Sequence, residues 1–565
     1  MEKIFTKRNI KIFNWIIAII MILIFEFGYC NVSFTAEYVK NGQFQHFYFS
    51  LCRGVMYAAI LLTIFFINRS KIIEEISKSF ESKTKKVIMI TYIFISFVFL
   101  FVYLYRFFSK RDIPFISFSL LLMTFIAGFS SVMYLTKKYT TNLIAFFLLG
   151  LIFSFTVNGY HIFDEKKHFM SAYNLSYGNI HFDKPIIDKQ FMEDLPRGTH
   201  YSNLVKYFSV YYKFEKGNLP TEYTMDSTPT TYNPILYVPS ALGILTGRVL
   251  KGSIADILLM GRIFNLICYM GLIILTLKIL PYKKNTFFIV LTVPMLLCFS
   301  ATYSIDGIGT AIVLLFIAYV LKVYENKETI TVKNLVIISI LFTILLMYKS
   351  MSYILVGLLL LLLPWKQIFK KYKKQSIIIL ILFILVNIVI LKLQPQIDLS
   401  DTRYEGVNAT EQIRNGIHHP LLILDVMKNL LESTILNFSW LQHFNSNLYF
   451  SKNSACLLII MAIYYFYIAL KDDEKNLNKK EKTILLISFL LTYYFIGGIF
   501  YVACSPVGAN YVLGYQARYL FPIMPLVLMC ISNKTLKSQE NNLTIKSSFA
   551  QILFIFLDLI GSILR

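Results

Sequence analysis

Residues 375–393 read QSIIILILFILVNIVILKL, an apolar run in which Lys392 is the single charged residue. An α-helix rises 1.5 Å per residue, so about 20 apolar residues cross the roughly 30 Å hydrocarbon core of a bilayer. The preceding residues 366–374, KQIFKKYKK, are strongly basic, which is typical of the cytoplasmic end of a span. This stretch therefore predicts a transmembrane helix.

Similar apolar runs recur along the chain, separated by short polar stretches. They lie near 12–30, 46–67, 87–107, 113–136, 141–158, 258–280, 286–302, 306–323, 334–348, 351–364, 375–393, 454–470, 483–503, 515–532 and 548–564. Hydrophobic residues make up 56% of the 565 positions and charged residues only 15%, whereas soluble domains carry about 25% charged residues. Lipid offers no hydrogen-bond partners to the backbone, so a membrane span must be a helix or part of a closed β-barrel. The alternation of polar and apolar residues that a β-barrel strand needs is missing. The sequence predicts an all-α polytopic integral membrane protein with about 15 transmembrane helices.

The net charge of +23 does not indicate a nucleic-acid-binding protein. The Lys and Arg residues are grouped between the apolar runs, as the positive-inside rule expects, rather than on one soluble domain. The seven Cys residues are scattered singly, without the spacing of a zinc site or a disulfide framework. The expected partner is the lipid bilayer and not a nucleic acid.

The distribution of basic residues also predicts the topology. A basic N-terminus places the start of the chain in the cytoplasm, and the fifth span then delivers the long polar stretch 159–231 to the extracytoplasmic side. Residues 232–250 contain two prolines and two glycines, which make a poor spanning helix. We therefore place 232–250 on the outer surface. Residues 420–441 are apolar at helical spacing with interrupting charges, which predicts a second interfacial helix.

These expectations divide the chain into three parts. Residues 1–140 form an N-terminal transmembrane module, and 536–565 form a C-terminal segment with a final span. The core, 141–535, has its two outer loops at 159–257 and 394–453.

An acidic motif directly follows the fifth span. Asp164 and Glu165 lie near the predicted membrane edge, and His168 lies one helical turn beyond Asp164. Adjacent carboxylates at such a boundary can take a proton from a hydroxyl or hold a divalent cation. The alternative is ordinary solvated charge, which an isolated Asp-Glu pair in a loop often represents.

Four further charged residues fall near the predicted outer ends of spans: Arg262, Asp306, Lys349 and Arg518. Ionisable groups close to the hydrocarbon are costly, so each is a functional candidate. Cations at this level can bind a phosphate group through charge-assisted hydrogen bonds. The alternative is snorkelling or structural ion pairing.

Six short motifs, in order, give the sequence a family resemblance. They are Asp164–Phe169 (D-E-x-x-H-F), Tyr232–Tyr237 (Y-x-P-x-x-Y), Gly261-Arg262 with Asn265, Ser304 with Asp306, Lys349 with Tyr353, and Gly514, Gln516, Arg518 and Tyr519 (G-x-Q-x-R-Y). On these residues the chain resembles a bacterial membrane protein family, the domain of unknown function 2142. The motifs cover roughly 140–535, and residues 1–136 fall outside the resemblance.

That family in turn resembles the GT-C glycosyltransferases, which take sugars from polyprenyl-phosphate carriers. The resemblance implies a GT-C-like fold with an extracytoplasmic acidic loop and interfacial helices, in a bacterial cell membrane. It implies that Asp164, Glu165 and His168 are catalytic, and that Arg518, Gln516, Lys349 and Arg262 bind the donor phosphate. Asp306, Tyr232 and Tyr237 would support them. A divalent cation, Mg²⁺ or Mn²⁺, is a candidate cofactor with Asp164 as its candidate ligand. The departure from the GT-C pattern is that four extra spans (12–136) precede the acidic loop.

The function expected from these features is transfer of a sugar from a polyprenyl-phosphate donor to a cell-surface glycan on the extracytoplasmic face. Two alternatives remain open at this point. One is a transporter or flippase of lipid-linked sugars or polysaccharide, and the other is a scaffold of a polysaccharide assembly complex. Transporters usually carry substrate charges on interrupted helices at mid-membrane, often in repeated halves, and the sequence has no detectable repeat.

Overall fold

The computed structural model describes residues 7–24, 51–69, 139–156, 164–180, 186–187, 221–222, 232–250, 254–349, 351–393, 404–436, 455–472, 475 and 477–531. Apart from one two-residue antiparallel pairing of β1 (Ile186–Ile187) with β2 (Thr221–Glu222), the regular structure in this part of the chain is helical. The expected spans 87–107, 113–136 and 548–564, and the C-terminal segment 536–565, lie outside the described residues.

The helices are grouped by their position along the chain. The first four are α1 (Lys7–Ile24), α2 (Leu51–Arg69), α3 (Tyr139–Thr156) and α4 (Glu165–Ser176). The central group is α5 (Val238–Val249), α6 (Ile254–Ile279), α7 (Lys284–Leu291), α8 (Pro294–Ser300), α9 (Asp306–Glu325) and α10 (Val332–Met347). The last group is α11 (Trp365–Leu393), α12 (Ala409–His418), α13 (Pro420–Leu431), α14 (Ala455–Lys471), α15 (Lys479–Cys504) and α16 (Met524–Cys530).

Short 3₁₀ and π segments connect or extend these helices. The 3₁₀ turns are Pro234–Tyr237, Lys327–Thr329, Ile354–Leu362 and Ala517–Leu520, and a π-helical turn covers Glu432–Leu436.

Four helices in the described part of the chain are long and apolar enough to cross a membrane. They are Asp256–Ile279, Asp306–Glu325, Trp365–Lys392 and Lys479–Cys504. Each corresponds to an apolar run of the sequence. Leu143–Ser154, Val332–Met347, Ile459–Lys471 and Gly54–Arg69 are apolar helices of shorter length. The chain is therefore a helical protein with several membrane-compatible helices, and the expected number of about 15 is not reached by the helices described.

Three expected spans are broken, which is a correction to the sequence-based assignment. Residues 286–302 form α7 and α8, separated just before Pro294, because proline lacks an amide proton and restricts the residue before it. Residues 515–532 form a 3₁₀ turn and the short α16, which has proline in its first turn. Residues 351–364 are largely the 3₁₀ helix Ile354–Leu362.

The segment 232–250 folds as one helical unit at the edge of the core. The side chain of Asn233 accepts a hydrogen bond from the Ile235 amide, 3.0 Å, and caps the 3₁₀ turn Pro234–Tyr237 that leads into α5. The resulting helix, Pro234–Val249, is shorter than the roughly 20 residues that a span needs. Its length agrees with the surface placement, which stays a prediction.

Glycines on α5 allow it to pack closely on α6. A Cβ atom added at Gly243 would lie 2.2 Å from the carbonyl oxygen of Met260, and one at Gly247 would lie 2.8 Å from the Cα atom of Ile257. Small residues four apart allow helix backbones to approach in this way. The glycines that weaken α5 as a span thus serve its contact with α6.

The described N-terminal helices join the same assembly. A buried hydrogen bond of 2.9 Å connects Asn14 of α1 to Asn68 of α2, and α2 packs on α3 and α6. The boundary drawn near residue 140 on sequence grounds stays a prediction. The interfacial segment predicted at 420–441 begins as α13, which exposes Leu421 and Leu424 and buries Val426 and Leu430.

Replacing Gly243 by Ala is expected to destabilise the protein by about 1–3 kcal/mol, because the new methyl group meets backbone atoms of α6. Gly271, on α6 itself, provides the matched control because nothing lies within 4 Å of its added Cβ. Gly271→Ala should therefore raise stability by up to about 1 kcal/mol through helix propensity. Denaturant unfolding of the purified protein in detergent measures the free energy of unfolding of both variants. A Gly243→Ala variant that is as stable as Gly271→Ala would contradict the close packing.

Candidate functional site

Asp164 occupies an unusual backbone position at the start of α4. It is the N-cap residue with a φ of 60°, in the left-handed region, and its side chain makes no capping hydrogen bond. The helix instead starts with the His168 amide donating to the backbone carbonyl of Asp164, 3.1 Å. The residue is exposed. Its carboxylate is therefore presented to the surroundings and not used to hold the helix.

Glu165, the next residue, is buried and paired with Arg262. Nε and Nη2 of Arg262 donate to the two carboxylate oxygens of Glu165, each at 3.0 Å, and Nη1 donates to the carbonyl of Ser154 at 3.0 Å. Glu165 is 1% exposed and also accepts from the Tyr303 amide, 3.3 Å. The guanidinium of Arg262, on α6, thus binds both Glu165 of α4 and the carbonyl of Ser154 near the end of α3, and so holds these three helices together.

A second charged cluster surrounds Asp306, the first residue of α9. Lys349 Nζ lies 2.6 Å from Asp306 Oδ1, and Arg518 Nε lies 3.3 Å from Oδ2. The Tyr348 hydroxyl donates to Oδ1, 3.2 Å. All three charged side chains are less than 10% exposed. One carboxylate and two cations leave this cluster with one formal positive charge.

The loop before Asp306 is held by the second part of the Gly261-Arg262-Asn265 motif. Asn265 Nδ2 donates to the carbonyls of Ser300, Thr302 and Ser304, at 3.3, 2.7 and 3.2 Å. A Cβ added at Gly261 would lie 2.3 Å from the hydroxyl of Tyr303. The motif residues on α6 therefore fix the loop that presents Asp306.

Aromatic rings enclose the Asp306 cluster. Lys349 Nζ lies 3.9 Å from the ring centroid of Tyr519, a favourable cation–π distance. Tyr348 and Tyr353 stack with centroids 5.1 Å apart, and the Tyr353 hydroxyl donates to the Tyr519 carbonyl, 3.0 Å. The guanidinium of Arg518 lies 5.3 Å from the ring centroid of Phe299. The rings exclude water, which strengthens the electrostatic interactions inside.

His168 connects the acidic motif to the Asp306 cluster. Its Nδ1 atom lies 2.7 Å from the hydroxyl of Tyr237, and its ring stacks on Tyr232 with centroids 6.1 Å apart. Burial lowers the pKa of His168 to about 4, against the opposing charges of Asp306 and Asp164. The imidazole is therefore neutral near pH 7 and acts as a positioning group for Tyr237.

The structure thus brings the expected site residues into two neighbouring groups. Asp164 is exposed, and its charge is near enough to act on His168, Lys349 and Arg518; we refer to this position as the rim of the Asp306 cluster. Glu165 and Arg262 form their own pair. Gln516 immediately precedes the 3₁₀ turn that carries Arg518, and its side-chain oxygen is buried with no hydrogen-bond partner.

Backbone strain coincides with this site. Among the described residues other than glycine, positive φ angles occur at Asp164 (60°), Lys349 (47°), Lys283 and Met351. Such conformations cost of order 1–3 kcal/mol and persist where surrounding structure enforces them. Two of the four residues carry the exposed carboxylate and the buried ammonium of the site.

The described residues contain no group of three His, Cys, Asp or Glu side chains that could hold a metal ion. Asp164 alone is the carboxylate that faces outward at the site. An all-protein ligand set is therefore not assembled by this part of the chain. Because Mg²⁺ is usually held by one or two carboxylates together with substrate phosphates, a divalent cation at Asp164 stays a prediction.

Sequence reasoning missed Tyr348 and the role of Asn265. Tyr348 directly precedes Lys349, and nothing in the sequence indicates that its hydroxyl reaches Asp306. Asn265 belongs to the Gly261-Arg262-Asn265 motif. Its three contacts with backbone carbonyls could not be predicted, because they depend on how α6 packs against the segment that follows α8.

The chain also matches a protein-family model. The model described as "Predicted membrane protein (DUF2142)" matches residues 147–527. The chain belongs to this family. The matched range contains every residue of both charged groups, from Asp164 to Arg518, and agrees with the 140–535 range expected from the motifs. No curated protein and no solved structure matches the chain.

Removing one partner of the buried Glu165–Arg262 pair is expected to destabilise the protein strongly. Glu165→Ala leaves the guanidinium buried without its carboxylate, which costs about 3–5 kcal/mol. The double variant with Arg262→Ala should lose much less than the sum of the single variants. The exposed pair Glu411–Arg414, at 3.9 Å, is the control and should show a coupling below about 1 kcal/mol in the same cycle. Unfolding in detergent measures both cycles, and equal couplings would contradict the assignment.

The lowered pKa of His168 makes stability depend on pH in a defined window. In the unfolded chain the imidazole of His168 becomes protonated near pH 6.5, whereas in the folded chain it becomes protonated only near pH 4. Stability is therefore full above pH 6.5 and declines as the pH falls towards 4. His168→Gln should flatten this decline between pH 6.5 and 4.5, measured as free energy of unfolding. The variant His418→Gln, at an exposed position, should keep the wild-type slope. An unchanged slope in His168→Gln would refute the assignment.

Proposed function

We propose that the protein is a membrane glycosyltransferase that moves a sugar from a polyprenyl-phosphate donor to a cell-surface glycan on the extracytoplasmic face. The observation that carries this proposal is an exposed carboxylate, Asp164, at the rim of a buried pair of cations, Lys349 and Arg518. A base and a set of phosphate ligands at neighbouring positions are what such a transfer needs.

The reaction divides between these groups. Asp164 takes the proton of the acceptor hydroxyl, and the acceptor oxygen forms a new bond to the anomeric carbon of the sugar. The bond between that carbon and the phosphate oxygen breaks, and its electron pair leaves with the phosphate. Lys349 and Arg518 stabilise the negative charge that develops there, at a site whose own formal charge is positive.

The remaining residues position these groups. The Glu165–Arg262 pair holds α4 against α6 and so fixes the adjacent Asp164. Asp306 holds the two cations, and His168 with Tyr237 packs α4 on the turn that precedes α5. In this proposal Arg262 acts through Glu165 rather than on the donor, while Gln516 is a candidate polar contact because its buried oxygen has no partner.

The decisive variant is Asp164→Asn, which removes the base but keeps the size of the side chain. We expect sugar transfer to fall by about 10²–10⁴-fold. The assay uses purified protein in nanodiscs, a panel of radiolabelled polyprenyl-phosphate sugars, and envelope glycans from cells that lack the protein. Asp425→Asn, at an exposed position of α13, serves as the control and should retain full activity. Full activity in Asp164→Asn would remove the mechanism.

A transporter of lipid-linked sugars is a second candidate because the helices bordering the Asp306 cluster are interrupted. The break between α7 and α8 and the 3₁₀ segment Ile354–Leu362 lie on either side of α9 in sequence, and discontinuous helices surround the substrate sites of many transporters. Flux of a lipid-linked sugar across proteoliposomes, with no glycosidic bond made, would select this function. Tolerance of every Asp164 substitution in both assays would select the scaffold.

A further inference from the structure

An apolar cavity of about 110 Å³ lies between the last helices of the chain. Its lining side chains are all aliphatic or aromatic and include Tyr465 and Phe466 of α14, Phe489 of α15, and Met524 and Leu528 of α16. For comparison, an apolar cavity of about 150 Å³ in another protein stays dry and takes up benzene. This cavity therefore has the chemistry of a hydrocarbon site.

The cavity reaches the outer surface of the helix assembly. Phe466 at its edge is 40% exposed, and α15 beside it belongs to the helices long and apolar enough to cross a membrane. The surface of such helices faces lipid. A hydrocarbon chain in the cavity can thus continue into the bilayer without passing through water.

The same cavity adjoins the charged cluster through one turn of the chain. In the 3₁₀ turn Ala517–Leu520, Arg518 pairs with Asp306 and Tyr519 packs on Lys349, whereas Leu520 lines the cavity. Consecutive Cα atoms are 3.8 Å apart, so the Cα atoms of Arg518 and Leu520 lie within roughly 7 Å of each other. One turn of the chain therefore contributes both to the charged cluster and to the cavity wall.

We propose that this cavity, with Leu520, Met524 and Leu528 on one wall, holds the first isoprenoid units of the lipid phosphate whose head group Lys349 and Arg518 bind. This inference rests on the proposed function for the identity of the lipid. In a polyprenyl phosphate the hydrocarbon begins directly at the phosphate oxygen, which suits the short step from Arg518 to Leu520. A glycerophospholipid inserts a glycerol unit and its ester groups between phosphate and hydrocarbon, and these polar groups match the apolar lining of the cavity less well.

The test uses a radiolabelled polyprenyl phosphate with a photoreactive diazirine on its first isoprene unit, added to the protein in nanodiscs. We expect the label on the peptides that line the cavity, which belong to α14, α15, α16, the 3₁₀ turn Ala517–Leu520 and the π-helical turn Glu432–Leu436. Excess unlabelled polyprenyl phosphate should abolish the labelling, and equal amounts of phosphatidylglycerol should not. Labelling of other segments, or equal competition by phosphatidylglycerol, would overturn the proposal.

A variant that fills the cavity provides a second measurement. Val527, a partly buried lining residue of α16, is changed to Trp, and we expect labelling to fall at least tenfold. Leu491→Trp is the matched control, because Leu491 is 47% exposed on α15 and does not line the cavity. Undiminished labelling in a folded Val527→Trp protein would overturn the proposal. If that variant does not fold, the peptide mapping in the unaltered protein decides alone.

Photolabelling of the cavity does not require sugar transfer. The tail site and the glycosyltransferase activity can therefore be refuted independently of each other. A protein that is labelled in the cavity but transfers no sugar would refute the glycosyltransferase and leave the tail site intact. A protein that transfers sugar while the label falls elsewhere would refute the tail site alone.

Discussion

A carboxylate buried away from water costs several kcal/mol unless opposite charges and hydrogen bonds compensate it. Asp306 meets this condition through the adjacent Tyr348 and Lys349 and through Arg518, which come from two distant parts of the chain. Removal of Asp306 would leave two buried cations without a counter-charge, whereas removal of one cation leaves a neutral ion pair. The positions of α9, of the end of α10 and of the turn before α16 are therefore linked through one carboxylate.

The interruptions in the helices serve this arrangement. In an unbroken α-helix the helical repeat fixes the direction of each side chain. Breaks in the helices allow Asp306 and Arg518 to approach each other. The loop 301–305 leads into Asp306, and the 3₁₀ turn Ala517–Leu520 brings Arg518 to the same carboxylate. Asn265 donates to two carbonyls of that loop and to the carbonyl of Ser300 at the end of α8, which matters because an unpaired carbonyl in a dry interior is costly.

The contrast between Asp164 and Glu165 shows how one backbone conformation separates two roles. The left-handed φ of Asp164 leaves its carboxylate exposed, while the first residue of α4 turns inward to Arg262. Adjacent acids with similar intrinsic chemistry thus become an exposed base and a buried structural anchor. In the proposed transfer the buried pair positions the exposed carboxylate against the cations.

Hydrophobicity, charge grouping and the six motifs were sufficient to predict a helical membrane protein, its family, and the candidate residues from Asp164 to Arg518. These properties are local, since a run of apolar residues in lipid has no alternative to a helix. The broken spans at 286–302, 351–364 and 515–532 were missed because hydropathy alone does not distinguish a continuous helix from two short ones. The prolines at 294 and 525 were the available signal.

The sequence by itself determined that the chain is a helical membrane protein with carboxylates, cations and tyrosines near one predicted face. Only the tertiary structure decided which of them meet: Glu165 with Arg262 across 97 positions, and Asp306 with Lys349 and Arg518. Ion pairs of this kind depend on the relative placement of helices, which is set by contacts such as Gly243 against Met260 and not by local periodicity. For that reason the pairing, and with it the division between structural and reactive charges, is a property of the packed helices.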